Sequence, residues 1–320
     1  MPGIKYKEFI EATFSIKNKR GEIVPFIFND TQNYYYDLLI KEYPTKQGIR
    51  ENILKFRQPG FSSFIDAIFT TDFIFSELGK IPLTDGDIVS HKEKETKVLF
   101  DRVSFFLDCF LAKHNLDRRG FLDIDTMLHL KGKRGAQLFV QTAGAKVSGR
   151  GGTKQNIHWS EVAFYSNTDV LNAEDLVTGA EQQVADGVGK IFRETTGNMS
   201  DDFFSTEYDK GKRGIGDFKS RFLGWWVHKE YVREAPEGWV IPDYYDRIRQ
   251  EYEVSINQCY WHFTKTGELS DEKKLREYPT DETEAFLLGG QAYFSKEPLI
   301  WYINNAKKPE QEVLYVQNIV

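Results

Sequence analysis

Cysteine is almost absent from this chain. Its 320 residues hold only Cys109 and Cys259, too few and too scattered for a disulfide framework or a zinc site, and the scarcity fits a reducing compartment, with the cytoplasm as default. Long apolar runs are missing as well. None approaches the roughly 18 residues that a membrane span needs, and the N-terminal MPGIKYKEFIEATF has no apolar h-region, so the sequence reads as soluble and not secreted. Nor is there an excess of positive charge: 42 Lys and Arg stand against 48 Asp and Glu, a net charge of −6. That balance argues against a strong, stand-alone nucleic-acid binder and leaves room only for local basic patches. Lys131, Lys133 and Arg134 form one candidate and Lys210, Lys212 and Arg213 another, although a solvated loop tip is the commoner meaning of either. No internal repeat or low-complexity segment is visible.

What is present describes an ordinary globular protein rich in rings: 40% hydrophobic, 28% charged, with 25 Phe, 16 Tyr and 6 Trp. The length suits one large α/β domain with an appended subdomain. Short apolar strands are expected at Asn52 to Phe56, Asp87 to Ser90, Ala136 to Thr142, Asn156 to Trp159 and Gly189 to Arg193, with a sixth at Lys219 to Trp226. Helices are expected between them, at Thr31 to Glu42 with Asp30 or Thr31 as N-cap, at Ser62 to Leu78, and at Glu95 to Ala112 on the strength of Val98, Phe105 and Leu107. Strands that alternate with helices predict a mostly parallel sheet covered on both faces. Beyond Val232 the texture changes to charged helices, at Asp243 to Phe263, Ser270 to Tyr278 and Asp281 to Leu288. The reading is a large α/β domain over residues 1–232 and a helical subdomain over 233–320, divided near Pro236, Gly238 and Pro242.

The segment NILKFRQPGFSS, from Asn52 to Ser63, carries the most chemical information. A strand, a glycine turn and hydroxyls that open a helix make a bent version of a phosphate-binding P-loop, in which backbone N–H groups close around phosphates, a lysine adds charge and a Ser or Thr reaches the metal. Gly60 and Ser62 keep the last glycine and the hydroxyl. Phe61 stands where the lysine belongs, and no glycine lies five residues before Gly60. Positive charge is still at hand on the strand side of the turn, in Lys55 and Arg57, with Gln58 and Ser63 completing the candidate loop.

A catalytic carboxylate is then expected at the end of another apolar strand. In NIHWSEVAFYS, Glu161 follows Ile157 to Ser160, where an acidic pair would stand in a Walker B segment, and its first member is replaced by Ser160. A hydroxyl there can hold a Mg2+-bound water but brings no charge to the metal. The bland alternative is an exposed Glu after a strand. Thr195 and Thr196 close the strand that starts near Gly189, and paired hydroxyls there can sense a terminal phosphate. Ahead of the strand that leads to Glu161, the glycine-rich TAGAKVSGRGGT carries Arg150, which either stabilises transition-state charge, in cis or across a subunit boundary, or forms an ordinary salt bridge.

In this order the segments resemble the ATPase region of the large terminase subunit of tailed phages. The resemblance is carried by Val24 to Phe26 and Asn29 to Gln32, KFRQPGFSSFIDAIF, KVLFDRVSFFLDCF, QTAGAKVSGRGGT, IHWSEVAFY, RETTGN, Trp225 with Trp226, Glu230 with Tyr231, Glu277 to Pro279 and Glu284 to Phe286. It implies a RecA-like P-loop NTPase that hydrolyses ATP with Mg2+ to drive double-stranded DNA into a procapsid. Gln32, within an adenine-binding segment at about 20–45, would read the base, Lys55 and Arg57 would supply the displaced charge, and Gly60, Phe61, Ser62 and Ser63 would complete the loop. Ser62 and Ser160 would face the metal. Glu161 would be the catalytic carboxylate, Thr195 and Thr196 the coupling motif, and Arg150 an arginine finger. The implied partners are DNA, a portal protein, a small terminase subunit and further copies in a ring, in the cytoplasm of an infected bacterium. Large terminases also carry an RNase H-like nuclease domain. With no Asp-rich strand near the C-terminus of this chain, no DNA cutting is expected from it. Two alternatives remain: a nucleotide-dependent assembly module with little hydrolysis of its own, and a helicase-like P-loop ATPase.

Overall fold

The structure is a computed structural model that describes residues 5–43, 48–144, 152–165, 172–198 and 202–286. Helix α1 (Tyr6–Thr13), the hairpin strands β1 (Ser15–Lys17) and β2 (Ile23–Pro25), and helix α2 (Asp30–Glu42) precede the main sheet. α2 starts one residue earlier than its sequence signal. Asn29 is its N-cap, and the side chains of Asn29 and Gln32 accept each other's backbone N–H, which satisfies two otherwise orphaned donors.

Strand β3 (Ile49–Lys55) then leads into α3 (Phe61–Glu77), β4 (Asp85–Ser90) and α4 (Glu93–Lys113). The short α5 (Arg118–Phe121) opens an antiparallel edge, β5 (Leu122–Thr126) and β6 (His129–Gly132), before β7 (Gln137–Thr142) and β8 (Asn156–Ser160). The order continues with α6 (Ala173–Glu181), β9 (Lys190–Thr195), α7 (Phe203–Lys212) and β10 (Lys219–Leu223), then α8 (Asp243–Tyr252), α9 (Ile256–Thr266), α10 (Asp271–Glu277) and α11 (Glu282–Phe286).

The eight-stranded sheet runs β10-β3-β9-β8-β4-β7-β6-β5. Pairing is parallel from β10 through to β7, and only β6 and β5 run antiparallel at the edge. The mostly parallel α/β sheet expected from the apolar runs is therefore present. β3 is buried along its whole length, as strands covered by helices on both faces are. α3 is buried on nearly every side and packs against α4, whose inward face is Leu99, Val103, Phe106, Leu107 and Phe110. Val98, one of the residues that suggested this helix, points outward.

Because α3 is so enclosed, its polar residues need partners inside the protein. Thr70 and Thr71 donate to the carbonyls of Asp66 and Ala67 one turn earlier, at 2.7 and 2.8 Å. Asp72 accepts from Tyr6 Oη, Asn156 Nδ2 and Lys190 Nζ at 2.6, 2.8 and 2.6 Å. No helix among the described residues is long and apolar enough to cross a membrane.

The stretch Asp243 to Phe263, expected as one helix, is two. Glu253 adopts a left-handed backbone (φ 54°) after α8, and Ser255 with Gln258 forms a capping box that starts α9. The break lets α8 and α9 fold back on Phe56 and Trp225, with Tyr231, Tyr245, Ile248 and Tyr278 in one cluster. His262 lies in that cluster, stacked on Trp225 at 4.3 Å between centroids. Its nitrogens meet Tyr245 Oη at 2.8 Å and the Tyr278 carbonyl at 3.1 Å.

Burial keeps the His262 ring neutral and pushes its pKa from 6.5 down to about 3. The unfolded chain takes up a proton on this ring below its ordinary pKa and the folded chain does not, so stability must fall as pH drops from about 6.5 toward 3. The expected slope from this group is about 1.4 kcal/mol per pH unit inside the window. Urea unfolding at pH 7 and pH 5 checks it. His262→Gln should lower stability at pH 7 yet reduce the difference between the two pH values, and an unaltered difference would exclude the ring as its source.

Candidate nucleotide site

Lys55 is the last residue of β3, where a parallel strand meets the cleft outside the sheet. The chain then turns through Gln58 and Gly60, both with left-handed backbone (φ 60° and 70°). Gly60 is the N-cap of α3 and accepts from Gln32 Nε2 through its carbonyl at 2.8 Å. A Cβ on Gly60 would approach that nitrogen to 3.0 Å. Asn29 Nδ2 donates to the Pro59 carbonyl at 2.9 Å. The capped end of α2 thus holds the loop in shape. Beyond it, the first turn of α3 presents unpaired backbone N–H groups and the positive end of a 17-residue helix dipole, which favours an anion.

The side chain of Lys55 is 5% exposed and ends between two carboxylates, at 2.7 Å from Glu161 Oε1 and 3.0 Å from Glu194 Oε2. Burial works against the ammonium, but the two carboxylates outweigh it and raise its pKa above the ordinary lysine value. Glu161 follows β8 with a left-handed backbone (φ 55°), an uncommon conformation for a residue other than glycine. That turn aims its carboxylate back across the sheet end. Its Oε2 accepts from the Thr196 backbone N–H at 3.0 Å and from the Thr195 and Thr196 hydroxyls at 3.3 Å each.

Glu194 had no role in the sequence reading, although RETTGN contains it. Its side chain is fully buried. Its Oε1 accepts from Ser62 Oγ at 2.7 Å and Ser160 Oγ at 3.0 Å, and lies 3.3 Å from His158 Nε2. The other ring nitrogen of His158 is 3.1 Å from Asp66 Oδ1, and Asp66 Oδ2 pairs with Arg102 at 2.7 Å. The spacing explains the convergence. Ser62 and Asp66 are four apart on a helix, and His158 and Ser160 two apart on a strand, so each pair shares a face. Burial opposes the Glu194 charge, but Lys55, His158 and Ser62 hold its carboxyl well below the usual carboxylate range. Burial also disfavours a charged His158, and its hydrogen bonds to Asp66 and Glu194 prevail and raise its pKa. The available signal was a carboxylate at the closing end of a strand whose core is Ile191 and Phe192.

Next to this buried cluster lies a cavity of about 640 Å³ whose walls include Lys55, Gly60, Ser62, Lys92, Glu161 and Thr196. Arg57, Gln58, Phe61, Ser63, His91 and Arg102 also contribute to it. The structure therefore gathers most of the expected residues in one place. Arg57, half-exposed, sits on the rim and pairs with Glu277 of α10 at 2.8 Å, and its backbone N–H donates to the Glu277 carbonyl. Phe61 is buried, edge-on to Tyr35 at 4.8 Å. Gln32 spends its amide on the α2 cap and the Gly60 carbonyl. Ser160 reaches the cluster through Glu194. Arg150 lies outside the described residues. The basic patches carry ion pairs: Lys131 and Lys133 approach Asp123, while Lys210, Lys212 and Arg213 pair with Glu207, Glu282 and Asp209.

No protein-family model matches the sequence, and no curated protein matches it. Among solved structures, the HK97 bacteriophage large terminase superposes with a TM-score of 0.55 at 14% identity, over 86% of this chain and 54% of that one. The chain has the large-terminase fold. It spans about half the length of the HK97 terminase. The ATPase domain of the Thermus phage P74-26 large terminase also aligns, at 17% identity over 76% of this chain and 91% of that domain, but its TM-score of 0.43 carries no weight. Within the terminase fold, the cavity described above lies where β3 hands over to α3.

Proposed function

We propose that this chain is the ATPase motor of a DNA-packaging terminase. The observation that carries the reading is Lys55, held between Glu161 and Glu194 at the mouth of a polar cavity beside the open N-terminus of α3. A triphosphate in that cavity meets backbone N–H groups, the Ser62 and Ser63 hydroxyls and the Lys55 ammonium, which replaces the lysine missing at Phe61. Arg57 adds charge from the rim. Gln32 acts on the nucleotide by shaping the loop, through Gly60, and on this geometry its contact with adenine is secondary.

The donors suit Mg2+. They are hydroxyl and carboxylate oxygens, and among the described residues no three His, Cys, Asp or Glu side chains converge to hold an ion by themselves, so phosphate oxygens must complete the set. Ser62 and, through Glu194, Ser160 are the residues on its side. Such an ion, when bound, neutralises phosphate charge. Glu161 is the carboxylate that orients and deprotonates the attacking water. Its tie to Thr195 and Thr196 couples the state of the carboxylate to the end of β9. DNA translocation, a ring of copies, an arginine finger from Arg150, and portal and small-subunit partners in the host cytoplasm complete the proposal, with the subdomain over 233–320, helical in its described part from α8 to α11, as the lid that answers to the motor.

A second reading is favoured by one observation: Lys55 and Glu161 occupy each other, so both groups are engaged within the protein. A nucleotide-dependent assembly module with little hydrolysis of its own would look like this. ATP hydrolysis by the full chain, measured against its own concentration, separates the two. The motor reading expects a rate per chain that climbs steeply with concentration as rings form and rises again with DNA. ATP binding with a flat, negligible rate at every concentration would favour the module, and no ATP binding at all would remove both.

A further inference from the structure

We infer that Glu194 supplies, from the neighbouring strand, the metal-side carboxylate that Ser160 cannot provide. The inference rests on the nucleotide reading above. Ser160 and Glu194 are direct partners in the parallel β8–β9 ladder, so a carboxylate lost from the end of β8 reappears at the same level one strand over. The Glu194 carboxylate accepts from both hydroxyls assigned to the metal, Ser62 at 2.7 Å and Ser160 at 3.0 Å, and it is fully buried. The Glu194 carboxylate gathers four groups, Lys55, Ser62, Ser160 and His158, and two of them belong to the phosphate-binding loop, Lys55 on its strand side and Ser62 on its helix side.

Charge balance gives the arrangement a direction. Lys55 is the one ammonium shared by Glu161 and Glu194, a single positive charge against two negative ones. When its ammonium turns to a phosphate, two carboxylates are left facing each other with one cation fewer. A divalent cation beside Ser62 restores the balance, and like charges left without it would repel. The same substitution explains why the helix-side partners are built as they are: His158 and Asp66 continue from Glu194 to Arg102 on the cavity wall, which anchors the Glu194 carboxylate when Lys55 leaves. Glu194 is thus a positioning residue that acts on the metal through Ser62, and the loop has two relocated charges, the lysine and the acid.

The test uses the full chain saturated with a non-hydrolysable ATP analogue, with Mn2+ as the probe and free Mn2+ followed by electron paramagnetic resonance. Glu194→Gln should weaken Mn2+ binding by about 10–100-fold, with analogue affinity in EDTA unchanged or tighter. Ser160→Asp added to that variant should restore Mn2+ binding, because it returns the charge to β8. Wild-type Mn2+ affinity in Glu194→Gln, or no recovery in the double variant, overturns the assignment while the nucleotide reading stands. A wild-type chain that binds no analogue overturns both. Should Glu194→Gln not fold, the anomalous signal of Mn2+ in wild-type crystals with the analogue decides: an ion beside Ser62 on the Glu194 side supports the assignment, and an ion beyond reach of both sinks it.

Discussion

Glu161→Gln should abolish most ATP turnover, by about 10²–10⁴-fold, while nucleotide binding persists. The amide keeps the shape of the carboxylate and can still accept from the Thr196 N–H, so the end of β9 stays in place. It cannot take a proton from water. Lys55 retains its second partner, Glu194, and the loop therefore remains charged. Hydrolysis and the binding of a fluorescent ATP analogue, measured on the same preparation, check the two halves separately. A variant that hydrolyses ATP at the wild-type rate would remove Glu161 from the chemistry.

Lys55→Met is expected to cost about 3–5 kcal/mol of stability at pH 7, because it leaves the Glu194 charge buried without its cation. The side chains of this pair are 5% and 0% exposed, so solvent screens little of the loss. The sign of the pH dependence follows from Glu194. Its folded pKa is held below the ordinary carboxylate value, so its contribution is present above that ordinary value and is lost as pH falls through the depressed one. Without Lys55 the carboxyl takes up a proton more readily, and the gap between variant and wild type should narrow toward pH 5. Lys55→Met with Glu194→Gln should recover much of the stability, because no unpaired charge remains, and should still bind ATP at least about tenfold more weakly, since a charge-assisted contact is gone. Phe61→Ala makes the contrast: truncating this buried ring costs about 3–5 kcal/mol through packing but removes no phosphate partner. If the lysine variants bind ATP as the wild type does and Phe61→Ala does not, the relocated charge is misassigned.

Much of this was readable along the chain. β3, β4, β8 and β9 each carry a short apolar core, Ile53-Leu54, Ile88-Val89, Ile157 with Trp159, and Ile191-Phe192, and burial on both faces makes such a core legible without any help from its neighbours. Gly60 and Ser62 were legible because a left-handed turn and a helix-opening hydroxyl are local demands. The antiparallel edge β5–β6 was not: its residues are charged and half-exposed, and an edge strand with one covered face needs few apolar positions. The division between α8 and α9 was missed although Ser255 and Gln258 carry a capping signal, because the apolar spacing runs on through it.

The site divides along the same line. Residue types and their order determined that a P-loop without its lysine, a carboxylate after a strand and a Thr pair share one chain, since each is a property of a few consecutive residues. Only the tertiary structure decided which charge meets which. Lys55 and Glu161 are 106 positions apart, and Ser62 and Glu194 are 132 apart, yet they touch because β3, β9 and β8 are adjacent in the sheet although not in sequence. Strand order is set by how helices cover a sheet, which no local pattern encodes. For that reason Lys55 was visible from the sequence as a displaced cation, and Glu194, the acid it answers to, was not.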